Sequence, residues 1–302
     1  MKHTIFFLFL LFIFVSCKTR EKNYIHYYNR VNEIDSIYRI AAKPLITVRK
    51  YKRLVRKYEP KNQERLDEFE NYIYLSDQYS RNFGGKKTLI KFAKEIAPYG
   101  DSYKKHLPLF QKYGIDSIEI KSELLKWENS RDKVLMDSIT TIFVRDQAGK
   151  RADVELMMKN DRKNANAMRW IITKYGFPSL NKVGLMGNDN VFLPLLTFFS
   201  HMSASEEYPY FESQLKHAVK TGECPPRVYS TMVDRYHLEV KKDDILYAMY
   251  LGMSNISDSA QIDRNRKSIG LPTMNHNKII TKDFFKKLKQ SRSEMTPNQP
   301  VY

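Results

Sequence analysis

The chain has 302 residues, with 51 Lys and Arg against 34 Asp and Glu, which gives a formal net charge of +17. This length allows one large domain or two small ones with an ample apolar core. The sequence contains no G-x-x-x-x-G-K-[ST], G-x-S-x-G or C-x-x-C, so it offers no pattern for a phosphate-binding loop, an α/β-hydrolase nucleophile or a dithiol site.

The start of the chain is typical of an export signal. An apolar run of 11 residues from Ile5 to Val15 follows a short basic start, whereas a helix that spans a bilayer needs about 20 apolar residues. A charged start, a short apolar core and a small residue before the cut indicate a cleaved signal peptide. The run V-S-C ending at Cys17 resembles the lipobox of bacterial lipoproteins. This implies that residues 1–16 are removed and that Cys17 is lipidated, with palmitate among its acyl chains; an uncleaved anchor or a buried N-terminal helix is the alternative.

This N-terminus predicts a lipid-anchored protein of the bacterial cell envelope. The outer membrane is favoured over the inner one. For an exported protein of this charge we expect an anionic lipid or an acidic envelope polymer as partner, and no nucleic acid. Lys, Asn, Ile, Tyr and Phe are also the residues that AT-rich codons encode, so genome composition is an alternative source of the charge. With Cys17 lipidated, Cys224 has no disulfide partner and is a packing residue, a free thiol or a nucleophile.

The positive charge concentrates in residues 18–65, which hold 14 Lys or Arg against 5 Asp or Glu. Six of these cations form a basic segment: Arg49, Lys50, Lys52, Arg53, Arg56 and Lys57. On a helix, one face carries Arg49, Arg53, Arg56 and Lys57, and apolar contacts come from Val48, Tyr51, Leu54, Val55 and Tyr58. We expect the segment to face an anionic membrane leaflet; a solvated helix face with long basic side chains over aromatic rings is the alternative.

Helical signals recur along the chain and strand signals are scarce, so we predict an all-α fold of several helices. Pro44 and Pro60 suit the first turn of a helix. An amphipathic pattern follows Asp116 and runs to Phe143, with a break expected near residues 127–132. The Gly and Pro of YGFP predict that a helix ends before Gly176.

Further helices are predicted over residues 161–175, 191–201, 208–220, 226–236 and 282–292. With boundaries near Gly114 and Asn275, the expected regions are a basic helical region over residues 17–115, a helical domain over residues 116–275, and a C-terminal helix with a polar tail over residues 276–302.

A series of polar motifs runs from about residue 139 to residue 275. In chain order they are DQ with a following Arg (Asp146, Gln147, Arg151), D-x-x-N (Asp161, Asn164), YGFPSLNKVG (Tyr175 to Gly184), the end of LLTFFSH (His201), GE (Gly222, Glu223), VDRY (Val233 to Tyr236) and R-x-x-x-GLPT (Arg266, Gly270 to Thr273). Their order and spacing resemble those of the bacterial family called domain of unknown function 6624, over a little under half of the chain. The resemblance implies a helical domain and a set of polar positions, without a particular reaction.

The chain also departs from the pattern of that family. Ser200 stands where the family usually has Gln, and Met202 and Ser203 follow the His in place of small and acidic residues. The segment DDILYAMYLG replaces Q-x-Y-G-T-Q and keeps at most Tyr247, and the first motif has three residues before its Arg in place of two. These departures favour a binding or structural function over catalysis.

The polar positions nevertheless suit acid–base chemistry. His201 carries a proton that can move near neutral pH, and Asp146 or Asp234 could orient it or act as a base. The candidate binding residues are Gln147, which could position substrate or water, and Arg151 and Arg235, whose paired donors could clamp a carboxylate or phosphate. The alternative is that the Asp and Arg residues pair with each other and tie helix ends together.

Two functions therefore follow from the sequence. The first is a lipid-anchored envelope protein whose helical domain binds or scaffolds, against an anionic partner. The second is a periplasmic or surface hydrolase that uses His201, Asp234 and Arg151. His201, His237 and Asp234 are weak candidates for metal ligation, so neither a metal nor a cofactor is expected.

Overall fold

The computed structural model of the protein describes residues 22–61, 67–148, 152–250 and 258–294, with side chains described as far as residue 290. The signal peptide, Cys17 and Arg151 lie outside these ranges. Within them the fold is all-α, as predicted, and the β-type pairing is confined to an isolated bridge between Met186 and Phe192. No helix in the described ranges is both long and apolar enough to cross a bilayer.

Two helices of the first half begin at residues that satisfy or remove free N–H groups. Asn23 accepts a hydrogen bond from the N–H of Ile25, and Pro44 lies in the first turn of its helix, as predicted. Pro60 was expected at a helix start but lies in irregular chain. The elements are α1 (Tyr24–Arg39), α2 (Pro44–Lys57), α3 (Glu68–Gln78), α4 (Gly85–Ile96), a 3-10 segment (Ala97–His106), α5 (Leu107–Lys112) and α6 (Ser117–Asn129).

The second half holds the polar motifs. Its elements are α7 (Lys133–Asp146), α8 (Val154–Tyr175), α9 (Leu180–Val183), a 3-10 turn (Asn188–Asn190), α10 (Leu195–His201), a 3-10 turn (Met202–Ala204), α11 (Tyr208–Thr221), α12 (Pro226–Arg235), a π-helical turn (Tyr236–Lys241), α13 (Ser259–Ser268) and α14 (Met274–Glu294).

Local chemistry explains where the predicted helices agree and differ. The break between α6 and α7 is confirmed, because Asp132 caps α7 by accepting from the N–H of Leu135 at 2.8 Å. Gly176, with φ +72°, ends α8 as predicted. The helix expected over residues 191–201 begins later, since Pro194 takes its N-cap position.

The N-terminal helix α1 packs against α2, against α11 and against the turn that follows α13. A Cβ on Gly270 would lie 2.6 Å from the Cβ of Tyr28, and one on Gly222 would lie 2.5 Å from the ring of Tyr24. Both glycines also have positive φ, so their GLPT and GE motifs allow two turns to approach α1 closely. One apolar cluster of buried side chains consequently runs from Tyr24 to Ile280.

A buried ionic cluster joins α1 to α14. Asp35, with a fully buried side chain, accepts from Arg39 Nε at 2.8 Å and from His276 Nε2 at 2.8 Å. Arg39 also contacts Asp283 at 2.6 Å. Asp35 and Arg39 lie in α1, and His276 and Asp283 lie in α14, so these buried or half-buried contacts tie the two helices together.

His106 is another buried histidine, 1% exposed, and its ring packs edge-on against Phe92 at 4.8 Å between centroids. The hydroxyl of Tyr74 lies 2.9 Å from Nδ1. Burial, with a smaller contribution from Lys105, lowers the pKa of His106 to about 3. The ring is therefore neutral in the folded protein at pH values where the unfolded chain would be protonated.

Acid should destabilise the fold partly through His106. Between pH 6.5 and about 3 the unfolded state binds more protons than the folded state, so stability present above pH 6.5 is lost as the pH falls. We expect His106→Phe to reduce this loss by at most about 1.4 kcal/mol per pH unit. Urea unfolding at a series of pH values measures the free energy of unfolding of each variant. His217→Gln is the control, because His217 is exposed. Equal pH dependence in wild type and His106→Phe would contradict the assignment.

Candidate functional site

Asp146 and His201 meet at the ends of two helices. Asp146 is the last residue of α7 and His201 the last of α10, and the rings of Phe143 and Phe198 hold the helices in contact, 5.4 Å apart between centroids. Asp146 Oδ1 lies 3.0 Å from His201 Nδ1. A carboxylate can only accept hydrogen bonds, so this contact places the ring proton on Nδ1. The two residues form an Asp–His dyad in which Nδ1 of the ring contacts the carboxylate and Nε2 does not.

The position of Asp146 is electrostatically costly. Its side chain is 1% exposed, and the C-terminal end of a helix carries partial negative charge. A buried carboxylate there needs donors on its oxygens. Gln147 Nε2 supplies one to Oδ2 at 2.6 Å, and His201 supplies one to Oδ1. Acids held in such positions recur at functional sites as well as in structural pairs.

His201 lines a cleft of about 350 Å³ between α8 and the segment that follows α10. The His201 side chain is 13% exposed, and no described residue forms a hydrogen bond with its Nε2. The cleft combines apolar, acidic and basic side chains: Met157, Met158, Asp161, Arg162, Ala165 and Asn166 from α8, and Ala204, Ser205, Glu206 and Glu207 from the opposite side. We call this the His201 cleft.

The sequence pattern missed several residues of this cleft. The run Ala204-Ser205-Glu206-Glu207 is small and acidic and begins three residues after His201. A search that let the small and acidic residues begin a few positions after the His, and not directly after it, would have found this run. In D-x-x-N, Asp161 lines the cleft, whereas Asn164 is buried and accepts from Arg145 at 3.1 Å.

The predicted binding residues fall in different places. Gln147 supports Asp146 directly. Arg235 Nη1 donates to the carbonyl of Ser200 at 3.2 Å, and its Nε donates to Glu239 at 2.8 Å. Arg235 therefore stabilises the end of α10 next to His201 without lining the cleft. Arg151 lies outside the described residues.

Asp234 does not join the dyad. It is fully buried and does not line the His201 cleft. Its Oδ1 accepts from the N–H groups of Leu246 and Tyr247 at 2.9 and 2.8 Å, and its Oδ2 accepts from Met249 at 2.6 Å. Burial raises the pKa of Asp234, and these backbone hydrogen bonds oppose the rise. The carboxylate thus replaces the backbone partners that an irregular segment lacks.

Arg266 of the R-x-x-x-GLPT motif holds the same segment from the other side. Its side chain is buried, and it donates to the carbonyl of Tyr247 at 2.7 Å and to that of Pro272 at 2.5 Å. Burial lowers the pKa of Arg266 to about 10, and Asp263 and Asp234 oppose this effect. The VDRY and R-x-x-x-GLPT motifs, whose polar residues suggested a reactive site in the sequence, therefore fix the path of the backbone.

YGFPSLNKVG and GE also meet in the structure. Lys182 Nζ donates to the carbonyls of Tyr175 and Phe177 at 3.0 and 3.1 Å and to Glu223 at 3.0 Å. These contacts join the end of α8, α9 and the turn after α11. Among the described residues, the Lys182 amine is bound by two backbone carbonyls and one carboxylate. The contacts therefore serve to hold these segments together.

The basic segment forms α2, and its apolar face is buried as predicted. The cations divide between two flanks. Lys50, Arg53 and Lys57 face a groove against α1, whereas Lys52 and Arg56 line another cleft beside Phe83. Arg49 lies between the flanks, exposed. Arg49, Arg53, Arg56 and Lys57 lie on the side of α2 opposite its buried residues, and Arg56 lines a different cleft from Arg53 and Lys57.

Cys224 is fully buried, and burial raises the pKa of its thiol well above the ordinary value. A protonated thiol without access to solvent suits packing and not nucleophilic attack. No group of three or more His, Cys, Asp or Glu side chains in the described part of the chain is arranged to hold a metal ion.

Comparisons of the chain with protein-family models, with curated proteins and with solved structures found no match.

Asp234 offers a direct test of the structural assignment. In Asp234→Asn the amide nitrogen would face the N–H of Met249, leaving a buried donor unpaired, and we expect the free energy of unfolding to fall by about 2 kcal/mol or more. Chemical denaturation measures this. Asp116→Asn is the matched control, because Asn caps a helix as well as Asp and a change below about 0.5 kcal/mol is expected. Full stability of Asp234→Asn would contradict the assignment.

Proposed function

We propose that the chain is a lipid-anchored protein of the bacterial cell envelope and that its helical domain is a hydrolase in which the Asp146–His201 dyad activates water. The observation that supports the hydrolase is the orientation of the dyad: Asp146 engages Nδ1, and His201 meets the cleft with Nε2 unpaired among the described residues. Membership of the family called domain of unknown function 6624 is part of the same proposal.

The buried pair of Asp35 and His276 gives an internal comparison. At His276 the contact with Asp35 is made by Nε2, both side chains are buried, and Arg39 shares the carboxylate. At His201 the ring is partly exposed on a cleft, and its contact to Asp146 is made by Nδ1. The first arrangement holds helices together, whereas the second leaves a proton acceptor facing a space that a substrate could occupy.

In the proposed reaction, an ester lies in the cleft with a water molecule next to His201. Nε2 accepts a proton from the water as its oxygen forms a bond to the carbonyl carbon. The resulting imidazolium lies beside the Asp146 carboxylate and at the C-terminal end of α10, where the helix favours positive charge. The proton then passes from Nε2 to the leaving alkoxide as the C–O bond breaks, which restores the dyad.

His201→Gln should lower turnover by about 100-fold or more, because the general base is removed. Hydrolysis of p-nitrophenyl acetate and of bis(p-nitrophenyl) phosphate by the purified protein measures it. Asp146→Asn should lower the rate by favouring the wrong tautomer. We expect the melting temperature of His201→Gln to fall only slightly, because the Gln amide N–H can still donate to the buried Asp146 carboxylate.

His217→Gln is the matched control, since His217 is exposed and does not line the His201 cleft. Equal rates for wild type, His201→Gln and His217→Gln would contradict the hydrolase.

A second candidate function is a binding scaffold, supported by the closed contacts of most motif residues. Asp234, Arg266 and Lys182 each hold backbone groups of irregular segments in place. In a scaffold the Asp146–His201 contact would serve the same purpose. His201→Gln would then lower the melting temperature without an accompanying loss of turnover.

The anchor is tested separately at Cys17. We expect the protein to incorporate labelled palmitate and to sediment with membranes, and Cys17→Ser to lose the label because the acceptor sulfur is gone. Cys224→Ala is the control and should keep the label, since Cys224 is buried. Equal labelling of wild type and Cys17→Ser would refute lipidation at this residue.

A further inference from the structure

A groove of about 490 Å³ runs between α1 and α2. Its sides carry Arg30, Lys50, Arg53 and Lys57, with His26 at one end and Glu33 as the acidic residue among those lining it. Ile34, Leu54 and Tyr58 supply an apolar floor. We call this the α1–α2 groove.

The charge of this groove is only partly neutralised. Glu33 contacts both Lys50, at 2.8 Å, and Arg30, and the hydrogen bond from Lys50 contributes most to lowering the pKa of Glu33. Arg53 and Lys57 form no ion pair with any described residue. Two cations therefore remain available in a concave site, where an anion could contact both.

The two helices are antiparallel, so the groove has a defined direction. Lys50 meets Glu33 at one end, and at the other end Tyr58 packs against Tyr24 with ring centroids 5.6 Å apart. The free cations thus lie toward the N-terminal end of α1, on the side where the chain enters the domain.

This direction relates the groove to the anchor. α1 begins at Tyr24, seven residues after Cys17. Seven residues reach roughly 25 Å when fully extended. A lipid on Cys17 therefore keeps this end of the groove within roughly 25 Å of the membrane surface. Interactions with anionic lipids act over about a Debye length, roughly 10 Å.

We propose that the α1–α2 groove binds the phosphate group of anionic phospholipids in the membrane that anchors the protein. Arg53 and Lys57 contact the phosphate oxygens, and the apolar floor accommodates the glycerol part. The proposal rests on lipidation at Cys17 and is independent of the hydrolase. Its consequence is that the domain lies against the membrane along α1 and α2.

The test uses amine acylation followed by mass spectrometry of the full lipidated protein on vesicles. We expect Lys57 to react several-fold more slowly on vesicles with phosphatidylglycerol than on pure phosphatidylcholine, because each basic contact contributes about 1 kcal/mol, or fivefold. Lys52, on the other flank of α2, is the internal control. Protection should decrease with added salt.

Arg53→Glu should abolish the protection of Lys57, whereas Arg56→Glu, with the same charge change on the opposite flank, should retain it.

Equal acylation on both kinds of vesicle, with the protein still bound, would overturn the proposal. Equal protection of Lys52 would do the same, because it would indicate a general surface effect. Protection by inorganic phosphate on phosphatidylcholine vesicles would assign the site to free phosphate and overturn the lipid source. Failure of the protein to associate with any vesicle would refute the anchor on which the proposal rests.

Discussion

A buried carboxylate at the C-terminal end of a helix is the constraint on which the candidate site depends. Asp146 lies where both burial and the helix dipole disfavour negative charge, so its oxygens require donors. His201 meets that need only because α10 ends against α7, with Phe143 and Phe198 in contact. The same contact that satisfies Asp146 orients the ring of His201, and so links the stability of the fold to the proposed chemistry.

Several other polar side chains hold irregular segments in place. Asp234 and Arg266 bind the backbone near Tyr247 from two sides, and Lys182 binds two carbonyls at the end of α8. In each case backbone groups that lack helical partners are satisfied by a side chain. The Asp146–His201 pair differs because His201 is partly exposed and lines a cleft. This difference, more than the presence of polar motifs, distinguishes a possible site from the supporting structure.

Much of the helical fold could be predicted from sequence, because capping and stop signals are local. Asp132 and Gly176 mark helix ends with short-range hydrogen bonds and backbone geometry. The meeting of Asp146 and His201 depends on packing between residues 55 positions apart, which no local pattern specifies. Asp234 was indistinguishable from Asp146 in sequence, since only tertiary structure brings three backbone N–H groups to one and an imidazole to the other.

The protonation of the His201 ring tests the central claim most directly. Long-range proton–nitrogen NMR spectra of histidine-labelled protein, recorded at a pH where the ring is neutral, report which nitrogen carries the proton. We expect His201 to carry it on Nδ1, toward Asp146, with Nε2 unprotonated and facing the cleft. A proton on Nε2 would mean that Asp146 does not hold the ring as a carboxylate acceptor, and the dyad could not act as the proposed base.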